Sequence, residues 1–187
     1  AETMAFTARA LDRHDLLLWS ARETDQQKIE EAGWGGKVIS TPRSDYLAVV
    51  HTNVGGGKTD RAFSETWDRT VALTGEGDGI AKLTLVRVHR GNPDDVYEGD
   101  HHVDYVRVFV PEGSVLIAAE GFEAPDPELF KYDGTLATHP EMAGTPFLHE
   151  DERAWVRVSR EHGLISFGGW MMTKAGETST VTITYRL

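Results

Sequence analysis

Over its last eight residues the chain alternates strictly. Val181, Ile183, Tyr185 and Leu187 share one parity, and Thr180, Thr182, Thr184 and Arg186 the other. A period of two with one apolar side and one polar side is the signature of a β-strand whose greasy face is covered. Something must pack over it, and the rest of the chain repeats the theme. From Tyr46 onward, short β-rich runs separated by turn residues occupy 46–51, 66–74, 80–89, 103–110, 114–119, 154–159, 163–172 and 177–187. Many short strands with no alternating helices predict a mainly β chain, an antiparallel two-sheet β-sandwich of immunoglobulin-like type.

Individual runs sharpen that expectation. In 103–110 both faces are apolar, Val106, Val108 and Val110 against Tyr105 and Phe109, as in a central strand covered on both sides. In 80–89, Leu83 and Leu85 lie on one parity and Val86 and Val88 on the other, which predicts a bulge or an edge-to-core transition near Leu85. The glycine-rich 75–79 reads as a hairpin loop and Pro111-Glu112-Gly113 as another turn. Ahead of the strands, Thr24 stands in capping-box spacing to Gln27 and Gly33 can end a helix, so a short N-terminal α segment is predicted over 25–32. The expected organisation is one compact domain, with 1–44 packing as a strand/helix segment on a sandwich of 45–187.

Charge narrows the partners. The 187 residues carry 30 acids and 19 bases, a net charge of −11 that opposes the phosphate backbone and anionic lipid alike, so nucleic acid is not an expected partner. Acids gather at Asp94, Asp95, Glu98, Asp100 and Asp104, over 120–133, and at Glu150, Asp151 and Glu152, beside prolines and glycines; these segments read as solvated loops. No run approaches the roughly 18 apolar residues of a membrane span, and residues 1–10 lack the pattern of a secretory signal. With no cysteine, disulfides, thiolate metal sites and cysteine nucleophiles are excluded.

Motifs that suggest chemistry weaken on inspection. Val54-Gly55-Gly56-Gly57-Lys58-Thr59 resembles a phosphate-cradling loop, but Thr52 stands where the first glycine belongs and a strand follows where a helix is needed. The glycines fit a tight connection better, with Asn53 in the turn and Lys58 anchoring a nearby carbonyl or carboxylate. Asp100, His101, His102 and Asp104 offer metal-type ligands, yet neighbours on a strand point to opposite faces, so at most His102 and Asp104 can share an ion. Thirty acids make carboxylate pairs inevitable, and no G-x-S-x-G elbow occurs. Trp19, Trp67, Trp155 and Trp170 lie within apolar runs and read as core, with a sugar-stacking platform as the alternative.

The blocks 45–60, 104–114, Glu161-His162-Gly163 with Phe167-Gly168-Gly169-Trp170, and 180–187 together resemble the C-terminal part of the bacterial family called domain of unknown function 4012. Residues 15–19, Gln26, Gln27 and Gly33-Trp34-Gly35-Gly36 extend the resemblance toward the N-terminus. It implies an envelope protein with an upstream membrane anchor and a large extracytoplasmic region, and it implies no reaction. Asn53, Gly55, Gly56, Gly57, Lys58, Asp60, Tyr105, Arg107 and Tyr185 carry over only as signature positions. Asp104 departs from the asparagine expected before Tyr-x-Arg, and the adjacent histidine pair is outside the pattern. Lys58 and Arg107 are expected to staple the sandwich rim by pairing with Asp60 or Asp104, the alternative being that the glycine loop is a recognition edge. The expected function is therefore a non-enzymatic, cofactor-free, extracytoplasmic β-sandwich module of a bacterial cell-surface protein. Its role would be structural, adhesive or in assembly, with a cell-envelope protein or glycan as partner. The alternatives are a module binding cell-wall carbohydrate through Trp34, and a metal-dependent enzyme built on Asp100, His102 and Asp104.

Overall fold

The alternation read from the sequence builds two antiparallel sheets packed face to face. The computed structural model describes residues 2–38, 44–55, 57–75, 78–124, 147–151 and 154–187. It divides into two units, Ala1–Ile39 and Ser40–Leu187. The first holds α1 (Glu2–Asp12) and α2 (Glu23–Glu31). The second holds β1 (Ala48–Val50), a 3-10 turn (Thr59–Arg61), β2 (Phe63–Leu73), β3 (Gly79–His89), β4 (His102–Pro111) and β5 (Val115–Glu120), followed by β6 (Phe147–Asp151), β7 (Val156–Glu161), β8 (Leu164–Thr173) and β9 (Thr178–Arg186). One sheet runs β1-β4-β8-β7-β6, the other β2-β3-β9-β5. Among the described residues no helix is long and apolar enough to cross a membrane.

In the N-terminal unit, α2 ends as its sequence predicts. Gly33 takes φ +75°, its N–H donates to Glu30 O (2.9 Å) and that of Trp34 to Ile29 O (3.0 Å), closing the helix with a left-handed residue that glycine tolerates best. Its start differs. Arg22, with extended backbone, occupies the cap position without a side-chain bond, and Thr24 lies inside the helix. Helix α1 was not foreseen; it buries Ala10 and Leu11 and leaves Met4 and Phe6 exposed.

In the sandwich, β9 buries Val181, Ile183 and Tyr185 as expected, against Leu83 and Leu85 of β3, Val106 and Val108 of β4, and Phe167 and Met171 of β8. Each such aliphatic side chain contributes about 1.5–3 kcal/mol when fully buried. Tyr185 also has its hydroxyl satisfied: Arg69 Nε donates to it at 3.0 Å while the Arg69 guanidinium forks onto Asp45 at 2.6 and 2.8 Å.

Several expectations need correcting. β3 contains no bulge: its pairing with β2 and β9 runs without a shift, and burial alternates through to His89. What changes at Leu85 is polarity, because the inward parity continues as Arg87 and His89, both fully buried. The irregularities lie instead between Leu116 and Ala118 and between Phe147 and His149. Glu150 and Asp151, read as loop, belong to β6, a strand the sequence did not announce; residues 125–133 of the expected acidic loop lie outside the described residues. β2 and β3 pair directly as a hairpin, with Leu73 opposite Gly79 and the Thr74 N–H donating to Asp78 O at 2.7 Å, while residues 76–77 of the predicted loop lie outside the described residues; the turn at 111–114 carries the chain from one sheet to the other.

The tryptophans are not core. Trp19 is 79 %, Trp155 47 % and Trp67 42 % exposed, and Trp170 is only half-buried. Trp67 lies across from buried Leu85, but β2 is a sheet edge and the ring beside it is His51, just beyond the three-residue β1.

Candidate functional site

The polar stretch of β3 meets β4 inside the sandwich. Arg87 and Asp104 are both fully buried, and Arg87 Nη2 donates to Asp104 Oδ2 at 2.6 Å and to Glu65 Oε1 of β2 at 3.3 Å. His51 stands between the two carboxylates, Nδ1 2.7 Å from Asp104 Oδ2 and Nε2 3.2 Å from Glu65 Oε2. The Phe63 ring backs the cluster, 4.8 Å from the Arg87 guanidinium carbon and 4.6 Å from the His102 ring. Burial alone raises the Asp104 carboxyl, but the His51 hydrogen bond and the Arg87 charge outweigh it and hold the group below its usual range. Burial first, then the Arg87 charge, push His102 down to about 4, so its ring is neutral at neutral pH, with Nδ1 2.8 Å from Thr59 Oγ1.

This cluster ties separate strands together. Both ring nitrogens of His51 face carboxylates, Glu65 on one side and Asp104 on the other. Asp104 instead anchors the chain after β1: its Oδ1 accepts the Thr52 N–H at 2.7 Å, and Thr52 exchanges backbone bonds with Tyr105 at 3.0 and 3.2 Å. The inward side of β4 thus holds residues 51–54 in place, and Thr52 and Val54 become a wall on its outward side.

That wall belongs to a cleft of about 490 Å³ on the outer face of the five-stranded sheet, within the range of small-ligand sites. Thr52 and Val54 form one side; Tyr105, Trp155, Arg157, Gly168 and Trp170 complete it. Tyr105 and Trp170 are cross-strand partners on β4 and β8, their rings 5.0 Å apart and edge-to-face. Gly168 makes room for them, since a Cβ there would lie 2.5 Å from Tyr105 Oη. Trp155 enters just before β7 with φ +52°, a left-handed conformation that costs a bulky residue about 1–2 kcal/mol.

The sequence-derived positions scatter. Asn53 Nδ2 donates to Asp60 Oδ2 at 2.9 Å and more weakly to Gly57 O and Thr59 Oγ1, tying the glycine loop shut. Gly55 rests on Val103, and Gly56 lies outside the described residues. Lys58 pairs with no described residue, and Arg107 pairs with Glu161 at 3.0 Å rather than with Asp60 or Asp104. The expected staples are therefore replaced by Asn53–Asp60 and Arg107–Glu161, and Asp104, expected in a solvated loop, is locked to Arg87. His102 Nε2 and Asp104 Oδ2 do share a face, 3.9 Å apart, but among the described residues no three acidic or histidine side chains form a set able to hold a metal. Trp34 sits in the N-terminal unit, half-buried, its indole donating to Asp12 at 3.2 Å. Among the described signature positions, Tyr105 alone lines the cleft. Arg87 was missed because its only signal was a polar residue on the buried parity of an otherwise apolar strand, and His51 and Glu65, beyond the end of β1 and on the largely polar β2, carried no signal at all. No family model, curated protein or solved structure matches the chain.

Proposed function

We propose that this chain is a non-catalytic carbohydrate-binding module that holds a cell-envelope glycan in the Tyr105–Trp155–Trp170 cleft, in an adhesive or anchoring role at a bacterial surface. The observation that carries the reading is the cleft itself: three aromatic rings on a rigid sheet face, one held at a backbone cost, beside polar groups of Thr52, Tyr105 and Arg157. Sugar rings offer apolar C–H faces that stack on aromatic rings and hydroxyl rims that need directional partners, the mixture this cleft supplies. The backing Arg87–Asp104–His51 network keeps the Thr52 wall in register, so little ordering is needed on binding. The acidic exterior and the family resemblance support the surface address.

Titration calorimetry against a panel of soluble bacterial and plant oligosaccharides tests the reading. Wild-type protein should bind at least one glycan, Trp170→Ala and Trp155→Ala should each weaken it by tenfold or more, and Trp34→Ala should leave it unchanged. Absence of binding across the panel at millimolar ligand, or binding indifferent to both cleft substitutions, overturns it.

A further inference from the structure

We infer, resting on the glycan-binding reading above, that the sugar seated in the cleft carries a carboxylate, a uronic acid or similar acidic residue, and that Arg157 is its contact. The β8 register carries the argument. Gly168 pairs with Arg107 of β4 on one side and with Arg157 of β7 on the other. Residues directly opposite in an antiparallel ladder share a face, and strands lie about 4.8 Å apart, so two arginines flank a glycine across about 10 Å of sheet. The glycine leaves a gap between the two stems, over which Tyr105 lies.

The two arginines differ in where they lie relative to the cleft. Arg107 Nη1 donates to Glu161 Oε2 at 3.0 Å, while Ser159 Oγ donates to Glu161 Oε1 at 2.9 Å, an assembly closed on itself. Arg157 is exposed and lines the cleft, and it is the ionised side chain among the lining residues. The planar Arg157 guanidinium carries five donors and can serve more than one acceptor at once. A carboxylate takes two of those donors in a charge-assisted pair, about twice as strong as the bonds a hydroxyl accepts. A cationic ligand, which the aromatic rings alone could hold, is disfavoured by the same arginine. The local positive group stands out against a net charge of −11, so selectivity comes from short-range contact rather than long-range steering.

The test uses a matched pair: a uronic-acid oligosaccharide and the same oligosaccharide with its carboxyls reduced to primary alcohols. Wild-type protein should bind the acidic form about tenfold more tightly. Arg157→Gln should erase that preference while retaining the neutral form, Arg157→Lys should restore part of it, and Trp170→Ala should lose both forms. Equal binding of the two forms by wild type, or a preference that survives Arg157→Gln, overturns the acidic-sugar inference and leaves glycan binding standing. Binding of neither form, nor of any panel glycan, overturns the reading of the cleft and this inference with it.

Discussion

Protonation of His102 should set the acid limit of this fold. The ring is fully buried, faces Arg87, His89, Asp104 and Asp60, and has its pKa pushed from 6.5 down to about 4. In the unfolded chain the same group titrates near 6.5. Between those values the unfolded state binds a proton that the folded state refuses, so stability is full above about pH 6.5 and falls as the pH drops toward 4. The penalty at pH 4.5 is about 2–3 kcal/mol and at pH 7 it is nearly nil. Asp104 acts in the same direction at lower pH: its depressed pKa stabilises the fold above about 3.8, and that contribution disappears as the carboxylate protonates. Urea unfolding followed by tryptophan fluorescence at pH 7 and pH 4.5 measures the loss, with His102→Asn as the comparison because asparagine can still meet Thr59. The variant should be the less stable protein at pH 7, yet lose about 2–3 kcal/mol less than wild type on acidification. Equal losses in the two proteins would refute the claim that the buried neutral ring carries this pH dependence.

Other perturbations separate foundation from cleft. Arg87→Met strands two carboxylates, Asp104 and Glu65, and should cost about 3–5 kcal/mol in urea unfolding; a loss below 1 kcal/mol would show that the pair is not a structural anchor. Gly168→Ala places a methyl where the Tyr105 hydroxyl now lies, so glycan affinity should drop at least tenfold while far-UV circular dichroism stays that of wild type; unchanged affinity would mean the Tyr105 ring does not contribute. Trp155→Asn relieves the left-handed backbone, since asparagine tolerates φ +52°. Its unfolding free energy should hold or rise by about 1 kcal/mol as binding is lost, and destabilisation of more than 1 kcal/mol would recast Trp155 as packing.

The fold was more legible than the site. Each predicted strand overlaps an observed one, because a covered face leaves its parity on the chain; β9 states it without interruption. The failures share a cause. Arg87 and His89 occupy the buried parity of β3, and a polar residue on an inward position looks the same in sequence as a shift of phase. Asp104, 17 residues later and on the facing sheet, together with Glu65 of β2, makes Arg87 admissible there. The tryptophans failed in the opposite sense: hydrophobicity marks a residue that can be buried, not one that finds cover, and Trp155 in its left-handed turn finds only half of it. β6 was invisible because Glu150 and Asp151 outweigh Phe147 and Leu148 in any reading of charge.

Local pattern alone determined that this chain forms antiparallel strands over an apolar interior, with α2 ending at Gly33, since periodicity and backbone tolerance act over a few residues. Tertiary structure decided which polar groups could enter that interior and which aromatics would line a cleft. Those outcomes depend on pairing between strands distant in sequence, where Gly168 lies between two arginines and Asp104 meets a cation from the facing sheet, and no short-range pattern encodes such partners.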